Sequence, residues 1–335
     1  VTMQDSTHPA PDGPGPRHVS AGTAGPGVTV APEAPPWAAR AVTDAGARLV
    51  PVGPRTEGLV WFGPLGVAGL GETLAAAPRT RWVQLPSAGV DAALEAGLID
   101  GRAGGVTWTS AKGAFAEPVA EHALALTLAA LRRLPERARA RTWGDEAGTS
   151  LYDARVLVVG AGGIARAFLR LLAPFRARTT VVRRHPVAVP GADRVVAGDQ
   201  LASTLIEELA RADVVVLAAA LTPRTRALLG PAEIAAMRPG ATLVNVARGA
   251  LVDTDALVAA LRSGHLGAAA LDVTDPEPLP DGHPLWDLPT ALVTPHTADT
   301  PEMVDPLLRR RVERNLARFV AGDGLEGVVD PTAGY

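Results

Sequence analysis

The 335-residue chain contains no cysteine, which excludes disulfides, thiolate nucleophiles and cysteine-based zinc sites. Lysine is nearly absent too: Lys112 stands alone, and the remaining positive charge is arginine. With its abundant Ala, Gly and Pro, this composition reads as GC-rich coding bias, which raises the background frequency of Arg-Arg pairs. Acidic and basic residues nearly cancel at a net charge of −3, so no nucleic acid or other polyanion is implied as a partner. No apolar run approaches the roughly 20 residues that span a bilayer. Residues 1–27, with Pro9-Ala10-Pro11-Asp12-Gly13-Pro14-Gly15-Pro16, lack the apolar segment of a signal peptide. They are expected to form a flexible tail, on a cytoplasmic protein without membrane contact.

What is present is the balance of a globular protein, 47% apolar and 20% charged, with length for two domains. From Val28 to about Trp108, strand-like runs (Val28–Val30, Leu49–Val52, Leu59–Phe62, Trp82–Leu85) alternate with Ala-rich amphipathic stretches. Glu117-Pro118-Val119 opens a long helix to about Leu134, with Val119, Ala123, Leu126 and Ala130 at helical spacing. A second series follows from Arg155, with strands at Val156–Val159, Thr180–Val182, Val214–Ala218, Thr242–Val246, Ala268–Val273 and Ala291–Val293. Helices are expected over Ile164–Leu172, Ile234–Met237, Ala256–Leu261 and about Pro301–Val320. Uniformly apolar strands separated by helices predict parallel sheets covered on both faces, an α/β fold.

The turn Val159-Gly160-Ala161-Gly162-Gly163-Ile164-Ala165 joins a buried strand to a helix. Gly160 permits the tight turn, Gly162 lets the backbone approach a pyrophosphate, and Ala165 permits close helix–strand packing. Inside a βαβ unit this pattern predicts dinucleotide binding, with a purely structural turn as the alternative. Arg183 falls 23 residues after Gly160, at the end of the next strand. There an NAD enzyme places an acid for the ribose 2′-hydroxyl, whereas an arginine pairs with a 2′-phosphate. Arg184 and His185 would complete a cationic pocket. NADP is therefore the expected cofactor, with NAD as the alternative.

Three later segments carry more: Val244-Asn245-Val246-Ala247-Arg248-Gly249, Leu271-Asp272-Val273-Thr274-Asp275-Pro276-Glu277-Pro278 and Val293-Thr294-Pro295-His296-Thr297-Ala298. With Pro118-Val119-Ala120-Glu121-His122 and the glycine loop, the chain resembles the D-isomer-specific 2-hydroxyacid dehydrogenases over about residues 50–320. Its form is similar to the glyoxylate/hydroxypyruvate reductase-like members. The resemblance implies two doubly wound parallel-sheet domains: a flavodoxin-like substrate-binding domain of 28–117 plus 299–335, and a Rossmann NAD(P)-binding domain of 118–298. It also implies a homodimer, with the helix from Pro118 in the contact.

By that resemblance Arg248, Glu277 and His296 form a catalytic trio that reduces a small 2-keto acid to the D-2-hydroxy acid. An imidazole suits the proton transfer, a carboxylate on its other nitrogen orients it, and an arginine can fork to carboxylate and carbonyl oxygens. The cofactor-side residues implied are Gly160, Gly162, Gly163, Ile164, Arg183, Arg184, Thr225, Ala247, Asp272 and Ala298, with Asp272 on the nicotinamide carboxamide. Ser87, Ala88 and Gly89, within Leu85–Asp91, would bind the substrate carboxylate through backbone N–H groups. Taken singly, each residue also has a structural reading: a loop histidine, a helix-end arginine, a solvated glutamate, a plain turn. His8 and His18 fall in the tail, and His122, His185, His265 and His283 are read as structural or exposed. Tyr152-Asp153-Ala154 stands where the family has Gly-Lys, and Ala220 where proline is common. Formate oxidation is disfavoured because that chemistry pairs its histidine with glutamine. Phosphite oxidation, and a cofactor-sensing corepressor role without turnover, remain as alternatives.

Overall fold

A computed structural model describes residues 25–63, 67–99, 105–197 and 201–335, so the expected tail lies, up to residue 24, outside the described residues. The first sheet contains β1 (Gly27–Ala31), β2 (Arg48–Leu49), β3 (Gly58–Trp61), β4 (Trp82–Gln84) and β5 (Thr107–Thr109) in the order β2-β1-β3-β4-β5. All its pairings are parallel, which is the flavodoxin-like order. Between the strands run α1 (Pro36–Asp44), α2 (Leu70–Ala76) and α3 (Asp91–Glu95). The run expected at Leu49–Val52 pairs only through Leu49, with one further bond from Val50 N–H to Val28 O; Pro51 then has no N–H to continue the ladder. The short β5 carries two threonines in three residues. Thr109 is fully buried there because its hydroxyl accepts the Trp82 indole N–H at 2.9 Å.

The second sheet contains β6 (Arg155–Val159), β7 (Arg178–Val182), β8 (Arg194–Val196), β9 (Val214–Leu217), β10 (Thr242–Asn245), β11 (Ala268–Leu271) and β12 (Ala291–Val293). Its order is β12-β11-β10-β9-β6-β7-β8, again all parallel. The helices are α4 (Ala116–Leu131), α5 (Leu134–Arg139), α6 (Gly163–Leu172), α7 (Leu201–Leu209), α8 (Pro231–Ala236), α9 (Thr254–Arg262) and α10 (Pro284–Asp287). The period of two along each strand divides the core. Val156, Val158, Val214 and Val216 join Phe168 of α6 and Ala123 of α4 in one layer, while Leu157, Val159, Val215 and Leu217 join Leu257 and Leu261 of α9 in the other. The helix expected to reach Leu134 stops earlier because Arg133 takes a left-handed φ of +51° and Pro135 follows. Asp153, in the place of the family's Gly-Lys, takes φ +61° and pairs with Arg176 at 3.1 Å.

The last helix, α11 (Pro301–Ala321), returns to the first sheet, burying Leu308, Val312, Leu316 and Phe319. Phe319 packs on Trp82 with ring centres 4.8 Å apart, and Val328 forms an antiparallel bridge with Thr109. Among the described residues no helix is long and apolar enough to cross a membrane.

Candidate active site

The chain leaves β6 for β7 and β8 on one side and returns through β9 on the other, so a crevice opens beyond the carboxyl ends of β6 and β9. Gly160 begins that crevice. Its φ is +113°, and any Cβ there would overlap the Ala218 carbonyl after β9. Gly162 caps α6 with open space where a side chain would stand. A Cβ on Gly163 would come within 3.1 Å of Gly113 and of Ala116 in α4, which close the loop from behind, and Ala165 is fully buried beneath. Ile164 is half-buried behind the loop. A bare glycine backbone at a helix start, open in front and closed behind, fits a dinucleotide pyrophosphate.

Arg183 follows β7, donates Nη1 to Val187 O at 3.1 Å, and is half-buried; Arg184 beside it is exposed. The Thr225 hydroxyl lies 2.8 Å from Ala220 O and accepts the Thr222 N–H at 2.8 Å, so this residue shapes its loop.

Arg248, Glu277 and His296, the trio expected from sequence, are carried on the loops after β10, β11 and β12. Asn245, fully buried, pins the first of them by donating to Arg248 O at 2.9 Å and accepting from Ala247 N–H at 3.0 Å. Gly249 follows, where a Cβ would overlap the Thr274 carbonyl. Arg248 reaches across to the first-sheet side, with Nε 2.9 Å from Asp91 Oδ2 and Nη1 donating to Ala247 O at 2.7 Å. Its Nη2 lies against Gly89, leaving no room for a side chain there. His296 Nδ1 meets Glu277 Oε1 at 2.7 Å. Among the described residues its Nε2 has no partner and is free for a substrate.

His296 takes φ +48°, uncommon for a side-chain-bearing residue, so something must hold it. That is Asp272, 2% exposed, whose carbonyl accepts the His296 N–H at 2.8 Å. Its carboxylate accepts from Thr294 Oγ1 (2.6 Å), Thr297 N (3.0 Å) and Ala298 N (3.1 Å), and His122 Nε2 lies 3.2 Å away. Burial pushes this carboxyl upward, but the hydrogen bonds from His122, Thr294 and the two amides outweigh it and hold the pKa at about 2. The folded value lies below the ordinary 3.8, so the stabilisation is complete above that value and is lost as pH falls through about 2. Asp272→Asn should therefore destabilise the fold by about 2 kcal/mol at pH 7, with the difference narrowing toward pH 2. Denaturant unfolding of both proteins across pH checks this; a gap that is constant with pH would contradict it.

Ser87 Oγ donates to Gly89 O at 2.7 Å and tightens the turn. The amides of Ala88 and Gly89 make no hydrogen bond among the described residues, which leaves two N–H donors at the cleft beside Arg248. Ala247 and Ala298 are buried on the facing side.

The profile of the D-isomer specific 2-hydroxyacid dehydrogenase NAD binding domain matches residues 124–298. The chain belongs to that family. It is an NAD(P)-dependent oxidoreductase of the 2-hydroxyacid dehydrogenase type. An uncharacterized protein of Corynebacterium melassecola is 39% identical over 261 residues, 76% of this chain and 84% of that protein. The D-3-phosphoglycerate dehydrogenase of Mycobacterium leprae is 38% identical over 240 residues; the match takes in 70% of this chain but only 44% of that enzyme. A D-isomer specific 2-hydroxyacid dehydrogenase from Xanthobacter autotrophicus Py2, solved with NADPH and MES, superposes with TM-score 0.77 at 29% identity, covering 93% of this chain and all of that one. An NADPH-dependent glyoxylate/hydroxypyruvate reductase from Sinorhizobium meliloti, solved with NADP and sulfate, superposes with TM-score 0.76 at 25% identity, covering 92% and 100%.

Two residues at the site of this dehydrogenase were not singled out from sequence. Asp91 was read only as the end of a loop, since nothing in its neighbourhood signals a partner 157 residues away. Asp299, beside Ala298, is raised by burial, while the positive charges of His296 and Arg248 lie near enough to oppose the shift.

Proposed function

We propose that the chain reduces a small 2-keto acid to the D-2-hydroxy acid, and runs the reverse, with NADP(H) as the preferred cofactor. The observation that carries this reading is the 2.7 Å contact between His296 Nδ1 and Glu277 Oε1, set opposite an Arg248 held across the cleft by Asp91. The substrate carboxylate meets the free amides of Ala88 and Gly89 and the Arg248 fork, which also polarises the carbonyl. Bound at the glycine loop, the dinucleotide supplies the hydride. His296 Nε2 gives its proton to the carbonyl oxygen, and Glu277 steadies ring and charge from the other nitrogen. Asp272 keeps a lone pair of Oδ2 for the cofactor's carboxamide; Arg183 and Arg184 take the 2′-phosphate.

In this reading residues 28–117 with 299–335 bind substrate and 118–298 bind cofactor. The small reach between Ser87–Gly89 and Arg248 favours short keto acids, in line with the glyoxylate/hydroxypyruvate activity named for the S. meliloti relative. Steady-state NADPH oxidation with glyoxylate, hydroxypyruvate and phenylpyruvate tests it, with turnover expected on the two short acids. No turnover on any of them beside tight NADPH binding would leave a sensing role in its place. The outer side of α4, with Leu124, Ala125 and Leu128, offers apolar area to a second copy, and Trp143, further along the chain, is 98% exposed. We propose a homodimer through that side, which light scattering checks against the 34.4 kDa chain mass.

A further inference from the structure

One lysine near the glycine loop has no part in the chemistry above. Lys112 is the only lysine, and its backbone is fixed from behind. Arg311, 6% exposed, donates to Ser110 O at 2.7 Å and to Lys112 O at 3.0 Å. The next residue is Gly113, which packs with Ala116 against Gly163 of the glycine loop. The Lys112 stem therefore starts one residue away from a segment in contact with the phosphate loop.

Its ammonium lies 4.3 Å from the centre of the Tyr335 ring, and the Arg184 guanidinium faces the same ring at 5.6 Å. A compact turn sets that ring in place: Asp330 N–H donates to Tyr335 O at 3.0 Å and Gly334 N–H to Asp330 O at 2.9 Å. The turn rests on the cofactor-side loop, with Gly334 next to Thr222. Asp330, the acid whose charge acts on Lys112, directs Oδ1 to the Thr332 and Ala333 amides. Among the described residues neither Lys112 nor Arg184 has a carboxylate within ion-pair distance. A ring face attracts an ammonium but accepts none of its three N–H bonds, so the cation is positioned without being satisfied. A phosphate oxygen is an acceptor of the kind that the ring does not offer.

We propose that Lys112 binds the pyrophosphate of the dinucleotide from the segment packed beside the glycine loop, with Tyr335 as the residue that positions its ammonium. This rests on the dinucleotide reading above and adds a ligand to it. The pyrophosphate is common to NADPH, NADH and ADP-ribose, so the assignment makes a definite demand on all three.

Calorimetric titration of the full chain with each of the three, for wild type, Lys112→Met, Lys112→Arg and Tyr335→Leu, is the test. Lys112→Met is expected to raise every Kd by about 10- to 100-fold, the loss of one charge-assisted contact. Lys112→Arg should recover most of the affinity, and Tyr335→Leu should lose about threefold. The wild-type slope of log Kd against log salt should flatten in Lys112→Met, as one fewer charge is engaged. If Lys112→Met does not fold, Lys112→Gln and the arginine variant carry the comparison. Wild-type binding matched by the Lys112→Met protein would overturn the proposal and leave the dinucleotide reading standing. A loss confined to NADPH would move Lys112 to the 2′-phosphate and overturn the pyrophosphate assignment. Failure of the wild type to bind any of the three would remove both readings.

Discussion

Replacing His296 by alanine should lower kcat for keto-acid reduction by about 100-fold or more while NADPH still binds with near-normal affinity. The asymmetry follows from where the ring sits. Nδ1 is committed to Glu277 at 2.7 Å, and Nε2 points to no protein group among the described residues, so only a substrate atom can use it. The glycine loop and Arg183 lie on other strands and lose no contact. The loop that carries the ring is anchored through Asp272 by backbone amides of Thr297 and Ala298, and those bonds do not need the imidazole. Glu277→Gln is a useful companion: it can keep the hydrogen bond to Nδ1 but removes the negative charge beside the ring. It should therefore lower kcat more than it changes KM. Near-normal turnover in His296→Ala would remove the histidine as proton donor whatever the fate of the other residues.

How much of this site was legible in the sequence depended on chain separation. The strands of the second sheet announce themselves, because a run such as Val214-Val215-Val216-Leu217 is buried on both faces. β8 does not, since Arg194 opens a three-residue edge strand with little apolar content. The motif residues Arg248, Glu277 and His296 could be named because each lies in a local pattern, and the fold brings Glu277 and His296 into contact. Asp91, by contrast, is specified by geometry alone: the start of α3, after β4 of the first sheet, meets an arginine that follows β10 of the second. Asp272 shows the same limit more finely. Its presence in a motif was readable, but not the convergence of two amides, a hydroxyl and His122 on one carboxylate. That convergence gives His122, taken from sequence as structural or exposed, its place at 3.1 Å from Thr294 Oγ1. Patterns of hydrophobicity record which face is buried; they carry no record of which polar atoms meet across it.

Arg183→Asp should move cofactor preference, measured as the NADPH/NADH ratio of kcat/KM, by about 100-fold or more toward NADH. Removing the guanidinium costs the 2′-phosphate a charge-assisted contact of about 1.5–3 kcal/mol, and the new carboxylate adds repulsion. The same carboxylate can accept the ribose hydroxyl of NADH, so the two effects push the ratio in one direction. The objection is compositional: in a chain with one lysine, arginine pairs occur by bias, as at Arg132-Arg133 and Arg309-Arg310-Arg311. In each of those runs at least one arginine is tied to protein acceptors. Arg133 pairs with Glu136 at 3.3 Å, Arg309 with Glu313 at 2.7 Å, and Arg311 is buried on the Ser110 and Lys112 carbonyls. Arg183 and Arg184 have no acidic partner among the described residues, and they stand at the carboxyl end of β7, next to the strand that leads into the glycine loop. A cation held in place by Val187 O yet left without a counter-charge is poised for an anionic ligand. Arg184 remains in the variant, so some NADPH activity should persist. An unchanged ratio would mean that the 2′-phosphate is read elsewhere, or not at all.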